Sequence, residues 1–146
     1  MAVEYWKLAT DKGYAASQFR LACCYYTGQG VAQDFAKAVG YLEFAAIQGH
    51  ARGLCLLAYC YYLGNGVVQD YSKAAEYWEL AAHQKHAQGS CDLAYCYYHG
   101  KGVAQDYYKV WNIGKLLQTR GTPKLSLSWL LATTLDKVWI EATARL

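Results

Sequence analysis

This sequence predicts an all-α fold, a right-handed α-solenoid of antiparallel helix pairs, on three observations. The first is a period of 36 residues: at least half of the residues in 13–48 recur 36 positions later, and so do those in 49–84. The second is helical spacing inside each copy, with Ala38, Tyr41, Leu42 and Ala45 on one face of one segment and Ala51, Cys55, Ala58 and Tyr62 on one face of the next. The third is punctuation: Gly28, Gly64 and Gly100 stop one helix of each pair, and Asp34, Asp70 and Asp106 stand where the following helix needs an N-cap. A helix pair this short cannot bury its apolar face alone, so successive pairs must stack on their neighbours.

In chain order, Met1-Ala2 aligns with Lys37-Ala38, so the chain opens inside a first helix A without its capping Asp, as a piece of a longer array would. Gly13 closes that helix, where a left-handed residue costs glycine nothing. Repeats follow near 14–48, 50–84 and 86–120, each a helix B and then a helix A, with helix B at 51–63 in the middle copy and helix A at 34–48 and 70–84. Gly49 repeats the role of Gly13; Lys85 takes that place in the next copy and is expected to be mildly strained, and Gly121 restores the glycine. The array spans 1–121. In the tail, 122–146, Thr122-Pro123 reads as an N-cap and first helical residue, and 125–144, with Trp129, Leu130, Val138, Trp139 and Ile140, reads as a longer helix capping the last repeat.

Composition removes several classes of function. A net charge of +3 without a cluster of Lys or Arg is too weak a field to recruit nucleic acid or an anionic membrane. With 55% hydrophobic and 17% charged residues the chain is not disordered. No run of about 18 apolar residues offers a membrane span, and the N-terminus has no basic segment followed by an apolar one, which favours a cytoplasmic setting. Six cysteines, Cys23, Cys24, Cys55, Cys60, Cys91 and Cys96, include no C-x-x-C, and residues five apart on a helix point away from each other. Free thiols are expected, with Cys24, Cys60 and Cys96 buried at one repeated seam; a disulfide framework is the alternative.

Motifs that suggest chemistry have structural explanations. Gly28-Gln29-Gly30, Gly64-Asn65-Gly66 and Gly100-Lys101-Gly102 look like phosphate loops, but each follows a helix instead of a strand and lacks a third glycine or a Gly-Lys-Ser/Thr ending. Glu76, Glu79 and His83, at i, i+3 and i+7, could supply acid-base or metal chemistry. The same positions one repeat away read Gly40, Glu43 and Ile47, or Asn112, Lys115 and Thr119, which suits a variable solvated face better than a catalytic set. No catalytic residue, metal ligand or cofactor is therefore assigned.

The phased residues His50-Ala51, Leu57-Ala58, Tyr61, Gly64-Asn65-Gly66-Val67-Val68-Gln69-Asp70 and Lys73-Ala74, with their counterparts one period either side, resemble the Sel-one-like repeat family, relatives of the tetratricopeptide repeat. The resemblance covers about 2–113; Ala22, Ala58 and Ala94 replace its usual Gly, and Ala32, Val68 and Ala104 its usual Pro. It implies that the A helices line a concave groove that binds a segment of another protein, and that His50 and His86 hold a family position at the start of helix B. The expected function is a protein–protein interaction scaffold, with a cell-envelope-associated binder or hydrolase-like enzyme, or a structural spacer, as alternatives. The binding stripe is expected at Gly40, Glu43, Ile47, Ser72, Glu76, Glu79, His83, Tyr108, Trp111, Asn112 and Lys115, and its carboxylates favour a protein or peptide partner that is basic and apolar.

Overall fold

The structure, a computed structural model, describes residues 2–119. Seven α-helices run in order: α1 Ala2–Asp11, α2 Ala15–Thr27, α3 Phe35–Ile47, α4 Ala51–Leu63, α5 Tyr71–His83, α6 Ala87–His99 and α7 Tyr107–Thr119. There is no strand among the described residues. Odd-numbered helices are the A helices and even-numbered ones the B helices, and each packs on the next. The expected tail helix, with Thr122-Pro123, and Gly121 lie outside the described residues.

The repeated residues build repeated joints. Asp34 and Asp70 adopt extended backbone and accept from the amides of Lys37 and Lys73 at 3.1 Å, as Asp106 does from Lys109, so α3, α5 and α7 start on the same cap. The Gly-x-Gly loops are clasps. In the middle copy the amides of Gly64 and Asn65 both donate to the Cys60 carbonyl, the Asp70 amide donates to Tyr61, and Gln69 Nε2 donates to the Tyr62 carbonyl at 2.8 Å. The same set recurs around Gly28 and Gly100. With these donors already bonded within the chain, the loops serve as connectors. The second glycine has a further reason: a Cβ on Gly66 would stand 2.5 Å from the carbonyl oxygen of Phe35, and one on Gly102 would overlap that of Tyr71.

The core lies between consecutive helix pairs. Leu21 and Leu57 and Ala22, Ala58, Ala38, Ala74, Ala45 and Ala81 are fully buried, the alanines bringing helix axes close and the leucines filling the space above them. Burying each leucine contributes roughly 1.5–3 kcal/mol. Trp78 fills the seam of the middle repeat with only 2% of its surface exposed, between the rings of Tyr59 (5.2 Å, 83°) and Tyr62 (5.6 Å, 52°), and its indole N–H finds no acceptor among the described residues. Cys60 and Cys96 are fully buried as expected, but Cys24, which packs against the cluster of Val3, Leu21, Tyr25 and Ala38, is only half-buried. No disulfide joins any of the six cysteines.

Candidate functional site

The A helices turn one face outward, and repeated ring contacts hold it in place. Lys37, Lys73 and Lys109 lie over the rings of Tyr25, Tyr61 and Tyr97 at 5.5, 5.2 and 4.8 Å. Tyr25 stacks on Tyr41 and Tyr61 on Tyr77, at 5.8 and 5.6 Å; Ile113 occupies the third such place and ends the series. The lysines of the first turns are thus drawn onto aromatic rings, which leaves Glu43 on α3 and Glu76 and Glu79 on α5 as the exposed mid-helix charges of those two helices, while Lys7 on α1 and Lys115 on α7 hold the same phase as Glu43.

Of the stripe expected from sequence, Glu43, Ile47, Ser72, Glu76, Glu79, His83, Tyr108 and Lys115 are exposed, Ile47 by 83%. Gly40, Trp111 and Asn112 are half-buried. On α7 the rings of Tyr108 and Trp111 stack at 6.1 Å, and Lys115 sits 5.0 Å over Trp111, so these three form one cluster. Glu43 and Ile47 come together across a notch of about 300 Å³ with Ala46, Leu54 of α4, and Tyr77 and Leu80 of α5. Their counterparts 36 residues on, Glu79, Ala82, His83, Ser90, Ile113 and Leu116, line a second notch of about 210 Å³ with Leu93 and Leu117. The two notches are the same feature one repeat apart. Ser72, Glu76 and Gly40 line neither.

Sequence reasoning missed Ala46, Tyr77 and Leu80 because each recurs in a neighbouring copy, as Ala82, Tyr41 and Leu116, and Leu54 because the stripe was drawn on the A helices alone. The signal for Leu80 was present: Leu8, Phe44, Leu80 and Leu116 share one phase, all are apolar, and all are at least half exposed, an apolar row crossing successive A helices. The opposite face is less free than its sequence suggests. Leu56 packs against the core, and Asp92 is half-buried under a hydrogen bond from Tyr59.

Groups that resemble reactive sites are occupied by the fold. His50 and His86 are N-caps: Nδ1 accepts from the amides of Gly53 at 3.0 Å and Gly89 at 3.3 Å. Burial, then the nearby Arg52 charge, lowers both imidazole pKa values, which keeps Nδ1 free to accept. Cys55 Sγ lies 3.3 Å from His86 Nδ1, a Cys–His contact. Burial pushes the Cys55 thiol up to about 12, with the Asp92 charge adding to it, so the pair does not make a thiolate nucleophile. Among the described residues no three His, Cys, Asp or Glu are grouped to hold a metal ion, and no helix is long and apolar enough to cross a membrane.

With this geometry in hand, comparison with known proteins gives a consistent result. A family model described as Sel1 repeat matches residues 1–14, 15–50, 51–86 and 87–109. Among solved structures, the chain is similar to a protective antigen of uropathogenic Escherichia coli strains displaying an SLR fold, with a TM-score of 0.79 and 28% identity over 82% of this chain and 26% of that one. It is also similar to a Sel1 repeat protein from Oxalobacter formigenes, with a TM-score of 0.77 and 25% identity over 82% of this chain and 49% of that one. Helicobacter pylori cysteine rich protein B shares the fold, with a TM-score of 0.59 and 23% identity over 88% of this chain and 85% of that one. The chain thus spans about a quarter and about half of the first two proteins. No curated protein matches it.

Proposed function

The chain belongs to the Sel1 repeat family, and on that premise we propose that it is an interaction scaffold that binds a segment of a partner protein along a concave groove formed by the exposed face of α1, α3, α5 and α7. Sel1 repeat proteins are generally protein–protein interaction scaffolds. The observation that carries the reading is the row of exposed apolar side chains, Leu8, Phe44 and Leu80, at one phase of successive A helices and beside repeated notches. Exposed apolar surface that recurs in register is costly to leave in water, and a partner lying across the helices would cover it.

The binding residues in this reading are those of the stripe, Gly40 to Lys115. Aromatic anchors should dominate, because exposed ion pairs contribute about 0–1 kcal/mol each whereas truncating a buried anchor costs 2 kcal/mol or more. Glu79 and His83 support it over hydrolysis, since they are the phase partners of Glu43 and Ile47 in a repeated surface. The test is binding to a panel of immobilised synthetic peptides. Tyr108→Ala should weaken capture more than Glu79→Ala, and both more than Leu63→Ala at the exposed end of α4. A larger loss from Leu63→Ala would move the binding surface to the B helices.

A further inference from the structure

We propose that the notch between α3, α4 and α5 is the anchor socket of this surface, and that it takes one bulky apolar side chain of the partner segment flanked there by a lysine or arginine. This rests on the A-helix reading above and adds which notch leads and what fills it.

The repeat makes the two notches equivalent in position but not in lining. In the α3–α5 notch the floor is Leu54, 2% exposed, and the walls are Ala46, Ile47, Tyr77 and Leu80. One repeat on, Ser90 replaces the floor leucine and His83 replaces Ile47. The former carries fewer polar groups, Glu43 and the Tyr77 hydroxyl against Glu79, His83 and Ser90, so an entering apolar side chain strips less polar surface of water there.

One wall of the α3–α5 notch is preorganised. Tyr77 is held by its stack on Tyr61 at 5.6 Å, and Tyr61 by Lys73 above it at 5.2 Å, so that wall is set before a ligand arrives. A volume of about 300 Å³ lies at the bottom of the range of small-molecule sites, about 300–1,000 Å³, which suits a single side chain better than a free ligand.

The rim of that notch is negatively charged. Glu43 is the one ionisable carboxylate of the rim, and Glu76 and Glu79 extend the same sign along α5, while Lys37 and Lys73 lie over tyrosine rings. The field at the notch is already felt: after burial, the Glu43 charge is the next cause raising the Tyr61 hydroxyl pKa, and it also raises that of Tyr77. A cation beside the anchor complements that field, and an anion opposes it.

The experiment uses the full chain and fluorescein-labelled peptides in which a central Trp, Phe, Leu or Ala is flanked by Lys, Ser or Glu, titrated by fluorescence anisotropy. The tightest binding is expected for a large apolar centre with Lys. Ile47→His, which places the second notch's residue in the first, should weaken it at least about tenfold, the loss typical of a central anchor contact. Glu43→Lys should reverse the preference from Lys to Glu. Both positions are exposed, and unchanged far-UV spectra confirm the fold of each variant. If peptides bind but neither substitution changes affinity or preference, while Tyr108→Ala does, the socket assignment is overturned and the A-helix reading stands. If only Leu63→Ala weakens binding, both fall. Absence of binding to every peptide also overturns the assignment.

Discussion

The Tyr59 hydroxyl donates to Asp92 Oδ1 at 2.9 Å and so ties α4 to α6 across one full repeat. Gln88 donates to both oxygens of the same carboxylate at 3.3 and 3.2 Å. Burial still outweighs these bonds and raises the Asp92 pKa above its ordinary 3.8. A carboxyl group raised in this way contributes most below its unfolded pKa, and the contribution is lost as pH rises through the folded value. Asp92→Asn keeps an acceptor for Tyr59 and removes the charge. Urea unfolding should find the variant at least as stable as the parent at neutral pH, with a flatter pH dependence on the acid side. A clear loss at neutral pH would show that the ionised form is the favoured one.

The histidine caps give the opposite dependence. Their folded pKa values lie below the ordinary 6.5, chiefly through burial, so their contribution is full above 6.5 and is lost as pH falls through the folded values. Protonation turns Nδ1 from acceptor to donor and releases the amides of Gly53 and Gly89. His50→Ala should cost about 1 kcal/mol at mildly alkaline pH and less in acid, and His50→Asn should retain most of the cap. Thermal melts of the three proteins across pH decide this.

Lys85 carries φ 63° at the place where Gly13 and Gly49 carry 77° and 74°. Lys85→Gly should raise stability by about 1 kcal/mol, seen as a higher Tm. Gly66→Ala should do the reverse and cost more than about 2 kcal/mol, since it adds a Cβ both to a left-handed backbone and against the Phe35 carbonyl. Equal, small effects from the two would mean that these loops tolerate either residue.

Thiol reactivity should follow position in the array. Burial pushes the Cys55 and Cys96 thiols up to about 12 and Cys60 up to about 11. Iodoacetamide on the native protein should therefore modify Cys23 or Cys24, the half-buried pair, before these three, as read by mass spectrometry. In denaturant without reductant all six should react; fewer would reveal a disulfide.

The fold was legible because each repeat writes its boundaries in residues with one conformational reason to be there: Asp70 accepts an amide, Gly64 turns left-handed, and Gln69 ties the loop to Tyr62. The cap role of His50 and His86 was not legible, since imidazole is an uncommon cap and only the geometry shows Nδ1 facing an amide. The exposed stripe was legible at Glu43 and Ile47, where copies differ. Tyr77 was hidden by its regularity, since a residue that repeats Tyr41 reads as core whether or not one side of it meets a notch, and Leu54 by its place on a B helix, outside the A-helix stripe. The tie at Asp92 was not legible either, since nothing in the sequence shows that a tyrosine of the preceding repeat donates to this carboxylate.

The pairing of the two notches also bears on how a long ligand could be aligned. An array of identical units would offer a guest equal wells at every step, so that sliding by one unit would cost nothing and the complex would be a mixture of offsets. Here Leu54 faces Ser90, Ile47 faces His83 and Tyr77 faces Ile113 under a shift of one unit. These three exchanges break the translational degeneracy: for a partner bound as proposed, an offset that seats a hydrocarbon group in one well would set it over a serine and an imidazole in the next, which would favour a single threading.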